Sequence, residues 1–191
     1  MATKLTKLLQ SGLTVFTLND LGIIWGQKNR STTRQSARDY TSRGELVRLR
    51  QGVYALPDVL PDDFKLANKL LAPSYVTGQS ILAASGLSFQ YADTIFSVAL
   101  YHRSFHVQAK TFMYSQVKAA VLYNPRGLEA MNGVAQAGPE RAIADLIYLS
   151  KGRFAFERIG GIDWELLASC AQIYESEWVV KAVAAMREQY V

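Results

Sequence analysis

Apolar residues near the start of the chain recur at helical spacing. Leu5, Leu8 and Leu9 would share one face of a helix over 4–13, because residues three and four apart lie on the same side of a helix. Gly12 stops that run, since glycine is a poor helix former and is common where helices end. The pattern predicts a first, short amphipathic helix.

A second helix is predicted between Thr17 and Gly26. Asp20 stands three residues after Thr17, which is the spacing of a capping box, and Gly26 is placed to end the helix. The apolar residues between these ends share one face, which we expect to be buried. They are Leu18, Leu21 and Ile24.

A third helix is predicted from about Ser31 to Arg43, with Gly44 at its end. At about 100° per residue, its residues divide into two sides. The inner side holds Thr33, Ala37, Tyr40 and Thr41. The outer side holds Ser31, Gln35, Arg38 and Ser42, with Arg34 on the flank. Asp39 also faces outward, where it would repel phosphate unless Arg38 or Arg43 pairs with it.

The hydrophobic period changes after the third helix. Residues 45–50 and 53–56 have the composition of two short strands, and Gln51 and Gly52 form the turn between them. Four apolar residues of this hairpin are expected to pack it down. They are Leu46, Leu49, Tyr54 and Leu56. Three helices followed by a hairpin within 1–57 predict a winged helix-turn-helix domain.

A polar, proline-containing segment at 58–63 is predicted to be a linker, and 64–191 a second, mixed α+β domain. We expect this domain to contain a small antiparallel sheet and a group of C-terminal helices. Strands are predicted over 94–101 and 111–117, with a third near 119–123, because β-branched and aromatic residues are frequent there. Helices are predicted over 64–71, 79–84, 139–148, 163–171 and 175–189. The predicted fold class is therefore α+β.

Positive charge is concentrated in the first domain. Residues 1–57 carry nine Lys or Arg against three Asp or Glu, a net charge of +6, whereas 58–191 carry a net charge of −1. A basic module joined to a neutral one is typical of a protein that binds a polyanion. Together with the polar outer side of the third helix, this charge predicts that the first domain binds double-stranded DNA.

The candidate DNA-binding residues lie before and on the third helix and beside the hairpin turn. Arginine suits guanine edges, glutamine suits adenine and hydroxyl groups suit phosphates, so this mixture fits a helix that recognises a DNA groove. Cations just before a helix N-terminus stand where a backbone phosphate can be held. The predicted set is Lys28, Asn29, Arg30, Ser31, Thr32, Arg34, Gln35, Arg38, Arg48, Arg50 and Gln51.

Four stretches of the chain carry a resemblance to a known family: Phe16–Leu21, Ser42–Pro57, Pro73–Leu82 with the following Gly86-Leu87, and Gly138–Leu149. They resemble the AbiEi-type antitoxins, the regulators of type IV toxin–antitoxin and phage-abortive-infection systems. The first two resemble the N-terminal domain of that family. Their order and spacing, over about residues 16–150, carry the resemblance.

The resemblance implies a promoter-binding antitoxin that represses its own operon through the N-terminal domain, on an operator that contains inverted repeats. It also implies a C-terminal domain that neutralises a nucleotidyltransferase-like toxin. Members of the family differ on whether neutralisation needs a stable complex, so that point stays open. Two oligomeric states stay open as well: a monomer on each half of an inverted repeat, or a dimer through the C-terminal helices.

Catalytic chemistry in the second domain is weighed against this hypothesis. His102 and His106 stand four apart, but in a strand-like segment without a third ligand, so structural histidines are expected. Cys170 lies on an apolar helical stripe, which predicts a buried thiol. We therefore expect no catalytic, cofactor-binding or metal-binding residues. Two alternatives stay open: a nucleic-acid-processing enzyme with its site in 58–191, and a protein-interaction module without a DNA role.

The predicted helix over 139–148 carries two residues of opposite charge, Arg141 and Asp145, four positions apart. This spacing predicts an ion pair within the helix, and we expect both residues, with Glu140, at the edge of the apolar stripe. Contact with a toxin or with the neighbouring domain is the alternative role.

The chain contains a single cysteine, which excludes an intrachain disulfide. It also lacks a run of about 18 apolar residues and the features of a secretory signal. We expect a cytoplasmic protein that does not bind membranes.

Overall fold

The computed structural model describes residues 3–88, 93–156 and 159–190 of the 191-residue chain. Within these residues the fold is mixed α+β, with nine α-helices and two β-sheets of three and six strands. This confirms the α+β class that the sequence pattern predicts. Contacts between residues divide the chain into two compact units, Met1–Leu70 and Leu71–Val191.

The first unit contains the predicted three helices and hairpin, together with one further strand and one further helix. Its elements are α1 (Lys4–Gln10), β1 (Val15–Thr17), α2 (Leu18–Trp25), α3 (Arg30–Ser42), β2 (Val47–Arg50), β3 (Val53–Ala55) and α4 (Asp63–Leu70). The sequence pattern does not predict β1, because three residues are too few to show an alternation. Both β1 and β2 pair antiparallel with β3, so the sheet order is β1-β3-β2.

The ends of α2 are set by the residues that its sequence indicates. The Thr17 hydroxyl accepts a hydrogen bond from the Asp20 N–H at 3.1 Å, and the Asp20 carboxylate accepts one from the Thr17 N–H at 2.8 Å. This reciprocal pair confirms the predicted capping box, which satisfies amide donors that a helix start leaves unpaired. Gly26 ends the helix in the left-handed conformation, with a φ of 68°.

One apolar cluster forms the core of the first unit. It consists of Leu8, Phe16, Leu18, Leu21, Trp25, Ala37, Leu46, Tyr54 and Leu56. Within this cluster α3 supplies only Ala37, with Tyr40 packed against the edge. Because α3 buries so little of its surface in the core, most of its side chains lie on the outside.

Asp20 also connects α2 to α4. Its carboxylate accepts a 2.8 Å hydrogen bond from Lys69 Nζ, and both side chains are partly buried. Through such contacts α4 belongs to the first unit, whereas the sequence pattern places a linker at 58–63 and starts the second domain at residue 64. Burial alone would raise the pKa of Asp20, but hydrogen bonds from Lys69 and Thr17 hold that pKa below its ordinary value.

We expect Asp20→Asn to lower the free energy of unfolding of the first unit by about 1–2 kcal/mol near neutral pH, because the variant loses a helix cap and an ion pair. The pKa of Asp20 is lower in the folded protein than its unfolded value of about 3.9. The carboxylate therefore stabilises the fold above about pH 4, and this contribution is lost as the pH falls through the folded-state pKa.

Urea titrations of the wild type and of Asp20→Asn at several pH values measure this effect. The difference between the two proteins should shrink below about pH 4. Asp39→Asn is the matched control, since Asp39 is exposed and caps no helix. A difference that stays constant from neutral pH down to about pH 2 would contradict the assignment.

The second unit is built on a six-stranded sheet. Its strands are β4 (Ser74–Val76), β5 (Thr94–Ala99), β6 (Arg103–Val107), β7 (Lys110–Gln116), β8 (Leu128–Met131) and β9 (Val134–Ala137), in the order β6-β7-β5-β4-β9-β8. The pairs β5–β7 and β4–β9 are parallel, and the other neighbours are antiparallel. The prediction of a small antiparallel sheet is wrong in two respects. The sheet is larger, because the very short strands β4, β8 and β9 join it, and two of its strand pairs are parallel.

The helices of this unit include one that the sequence pattern assigns to a strand. They are α5 (Gln79–Ala84), α6 (Ala119–Leu122), α7 (Pro139–Ser150), α8 (Trp164–Ala171) and α9 (Glu177–Tyr190). A 3-10 turn at Gln172–Tyr174 directly follows α8. The strand expected near 119–123 is wrong, since α6 occupies these residues. The Val121 carbonyl accepts a 2.8 Å hydrogen bond from Arg141, so a tertiary contact stabilises this turn against the strand preference of its residues.

Arg141 and Asp145 lie in the core of the second unit, not at the edge of the α7 stripe as expected. Both are 0% exposed, and Arg141 Nε lies 3.6 Å from Asp145 Oδ1, so the predicted ion pair is present but buried. Asp145 accepts further hydrogen bonds from three hydroxyl groups, those of Tyr75, Thr77 and Tyr174. Arg141 donates to the Tyr75 hydroxyl and to the backbone oxygens of Val121, Asn124 and Arg126.

Burial shifts the pKa values of the ionisable groups in this network. It raises the pKa of Asp145, which the charge of Arg141 and the three hydroxyl donors oppose. It also raises the pKa of Tyr75 and of Tyr174 well above their ordinary values, with the nearby Asp145 charge adding to the effect. Both tyrosines are therefore neutral hydrogen-bond donors that join α7 to β4 and to the 3-10 turn.

Candidate nucleic-acid interface

The inner side of α3 packs against the first unit as its sequence predicts. Thr33 and Ala37 are 1% and 0% exposed, and Tyr40 and Thr41 are half-buried. The neighbouring helix α2 approaches closely at Gly22, where a Cβ atom would lie 3.5 Å from Thr33 Oγ1. This packing fixes which residues of α3 face away from the protein.

The N-terminus of α3 is capped by Asn29. Its side-chain oxygen accepts hydrogen bonds from the Ser31 N–H at 2.8 Å and from the Ser31 hydroxyl at 2.7 Å. The buried Thr33 hydroxyl donates to the Asn29 carbonyl at 3.1 Å, so it is satisfied within the helix. Asn29 and Ser31 therefore hold the helix start together, while the Asn29 NH₂ group can still donate to an external acceptor.

All of the residues predicted to bind DNA are exposed. Five of their cationic side chains make no hydrogen bond or ion pair with another residue in the ranges 3–88, 93–156 and 159–190. We call this set the open cations: Lys28, Arg30, Arg34, Arg38 and Arg48. Because protein groups do not neutralise these charges, they are available to a polyanion.

Asp39 does not pair with any arginine in the part of the chain that the structure describes. Its carboxylate accepts a 2.9 Å hydrogen bond from Gln35 Nε2, one helical turn earlier. Arg43 instead pairs with Glu45 at 2.8 Å. The arginine pairing that would offset the repulsion of phosphate is therefore not formed, and the negative charge of Asp39 stays on the outer side of α3, where it engages part of the Gln35 amide.

The β2–β3 hairpin places its turn beside the start of α2. The Gly52 carbonyl accepts a 2.9 Å hydrogen bond from the Leu18 N–H, and Gly52 itself has a φ of 81°, which suits glycine. A bulge between Arg48 and Arg50 shifts the register of β2 on β3. Both arginines and the neighbouring Gln51 are exposed, so the hairpin presents polar side chains outside the sheet.

A surface groove of about 480 Å³ lies between α2 and the start of α3. The groove is lined by Lys28, Arg30 and Ile23 among other residues, and Ile23 is 72% exposed. The sequence pattern assigns Ile23 no role, since it places this residue only within the α2 helix. The candidate interface therefore extends from the outer side of α3 to the exposed side of α2.

The residues weighed as catalytic candidates are two exposed histidines and one buried cysteine. His102 and His106 are both exposed, and His106 Nδ1 lies 3.0 Å from Thr111 Oγ1. Cys170 is fully buried, as predicted, and burial raises its pKa to about 11, so the thiol is neutral. In the described part of the chain, His, Cys, Asp and Glu form no cluster of three that could hold a metal ion. Each helix described is too short or too polar to cross a lipid bilayer.

No protein-family model matches the chain, and a search of curated proteins finds no match. The candidate nucleic-acid interface is therefore described from the structure alone. It comprises the outer side of α3, the residues that precede that helix and the hairpin turn. This surface is exposed, basic and rich in hydrogen-bonding groups.

Proposed function

We propose that this protein is a DNA-binding transcriptional regulator whose first unit is a winged helix-turn-helix. The outer side of α3 carries the proposal, because Arg34 and Arg38 stand there without partners among the described residues, on a helix whose inner side is packed. An arginine with unused donors can bind guanine O6 and N7 in the major groove through two hydrogen bonds. In this proposal α3 is the recognition helix.

The element order of the first unit supports this proposal. Residues 26–29 join α2 to α3, and this short turn begins with a left-handed glycine, which is typical of a helix-turn-helix. The hairpin follows α3 directly, and β1 pairs with β3 on the side away from β2. The hairpin is thus attached to the helices through β1, as a wing would need to be.

The candidate residues divide into two kinds of contact. Lys28 and Arg30, at the start of α3, and Arg48, on the hairpin, suit phosphate groups, which position a protein without carrying sequence information. Arg34 and Arg38, further along α3, suit base edges. The neighbouring hydroxyl and amide groups would add hydrogen bonds to either. The two kinds of contact have different experimental signatures.

Titration of the full chain with DNA from upstream of its own gene tests the proposal. We expect the logarithm of the binding constant to fall with the logarithm of the salt concentration with a slope of about −3 to −5, from three to five neutralised phosphates. An unrelated duplex should bind more weakly at the same salt concentration. A slope near zero, or no binding to either duplex, would overturn the proposal and favour a protein-interaction module.

Arg48→Ala tests the role of the hairpin. Because a phosphate contact carries no sequence information, this variant should weaken binding to the upstream and to the unrelated duplex by about the same factor. Arg187→Ala is the matched control, since it removes an exposed arginine from the second unit. A loss confined to the upstream duplex would instead place Arg48 on a base.

The role of the second unit is proposed from the resemblance to AbiEi-type antitoxins. In this proposal the first unit represses the operon, and the second unit neutralises a nucleotidyltransferase-like toxin in the cytoplasm. A full-chain variant that no longer binds DNA should then still protect cells from the toxin. Loss of protection in such a variant, with its fold intact, would mean that neutralisation depends on DNA binding.

A further inference from the structure

We infer that Lys4 binds a DNA backbone phosphate on the side of α3 opposite Arg34 and Arg38, an inference that rests on the proposed DNA-binding function. Lys4 is the first residue of α1. The fold nevertheless brings it to α3, where its Nζ donates a 2.6 Å hydrogen bond to the hydroxyl of Ser36, 32 positions along the chain. Helical periodicity cannot predict a contact between residues this far apart in sequence.

The protein holds the Lys4 side chain in place before any ligand arrives. The Lys4 carbonyl accepts a 3.2 Å hydrogen bond from Trp25 Nε1, and the ammonium lies 5.1 Å from the centre of the Trp25 ring. With the Ser36 hydrogen bond, these contacts restrict a side chain that is normally flexible. A restricted side chain loses less conformational entropy when it binds, so the contact is stronger.

The Lys4 ammonium keeps most of its hydrogen-bonding capacity. Among the residues that the structure describes, only Ser36 accepts a hydrogen bond from it, and no Asp or Glu pairs with it. An ammonium group has three N–H donors, so two remain for another acceptor. Lys4 is half-buried, which leaves part of the side chain accessible to solvent. A phosphate oxygen is the acceptor that such a cation suits.

The position of Ser36 determines which side of α3 Lys4 occupies. At about 100° per residue, Ser36 lies about 160° around the helix from Arg34 and also from Arg38. A helix about 10–12 Å across fills a major groove about 12 Å wide, so its two flanks face the two sugar-phosphate backbones. Lys4 would therefore contact the backbone on the Ser36 side of α3, while Arg34 and Arg38, on the other side of the helix, reach base edges.

Salt titration of the full chain on a random-sequence duplex tests the inference. Lys4→Gln should reduce the magnitude of the log–log slope by about 0.9, the value for one phosphate. A fourfold rise in salt should then weaken the wild type about 3.5-fold more than the variant. Lys4→Arg keeps the charge and should keep the wild-type slope. Lys181→Gln removes the charge of an exposed lysine in the second unit and is the matched control.

A second measurement on the wild type does not depend on how Lys4→Gln folds. Acylation of lysine amines, followed by mass spectrometry, should show that the duplex protects Lys4 and leaves Lys181 unchanged. A wild-type slope in Lys4→Gln, or equal labelling of Lys4 with and without the duplex, would overturn the inference and leave the proposed function in place. Wild-type protein that shows no salt-dependent binding would overturn the proposed function itself.

Discussion

Replacing Arg141 with methionine is expected to lower the free energy of unfolding of the second unit by about 3–5 kcal/mol. The substitution keeps an unbranched apolar chain but leaves the fully buried Asp145 without its cation. It also removes the donor that satisfies the carbonyls of Val121 and Arg126. Urea titration of the full chain measures the loss, and hydrogen exchange in α7 assigns it to the second unit.

Arg187→Met is the matched control for this effect. Arg187 Nη1 lies 2.8 Å from Glu165 Oε1, closer than the buried pair, but the two side chains are 48% and 80% exposed. Solvent screens an exposed pair, so this variant should lose less than about 1 kcal/mol. Similar losses in Arg141→Met and Arg187→Met would show that burial does not set the strength of the α7 pair.

The double variant Arg34→Ala/Arg38→Ala is expected to lose most of the discrimination between the upstream duplex and unrelated DNA. Each arginine contact to a base contributes about 1–3 kcal/mol, so two contacts amount to a loss of about 30-fold or more in affinity for the upstream duplex. Binding to unrelated DNA should fall much less, since the other open cations remain. Competition titration with the two duplexes measures both values.

The fold of this double variant should stay intact. Both arginines are exposed on α3, and alanine is a good helix former, so the thermal unfolding midpoint should change little. The double variant Arg153→Ala/Arg187→Ala removes two exposed arginines from the second unit as the control. Equal losses on both duplexes would mean that α3 contacts phosphates and does not recognise bases.

The exposed part of the candidate interface follows from sequence because helical period is a local property. Thr33 and Ala37 mark the inner side of α3, and their burial leaves Arg34 and Arg38 outside whatever the rest of the fold does. The predicted cations on this helix are therefore exposed. Their contacts with DNA stay predictions.

Side-chain partners within the interface are harder to predict from sequence. Asp39 has arginine neighbours on both sides along the chain, yet it accepts a hydrogen bond from Gln35, because the outcome depends on rotamers and on Glu45 binding Arg43. Lys4 lies outside the predicted set, since only the packing of α1 brings it to Ser36. Partners far apart in sequence leave no periodic pattern.

In the second unit as well, spacing along the chain predicts a contact but not its surroundings. The sequence predicts an ion pair between Arg141 and Asp145 from their spacing, and the structure contains it. The spacing does not decide whether the pair is on the surface or in the core. The burial depends on hydrogen bonds to Asp145 from the hydroxyl groups of Tyr75 and Thr77, which lie 70 and 68 positions earlier in the chain.

By itself, the sequence determined the features that arise from hydrogen bonds and periodicity within a few residues. Among these are the capping box of Thr17 and Asp20, the left-handed end of α2 at Gly26, and the two sides of α3. Only the tertiary structure decided the pairing of β1 with β3, the parallel pairs in the larger sheet and the burial of Arg141. The physical reason is that these features arise between segments far apart in the chain, where the packing of the whole unit selects the partner.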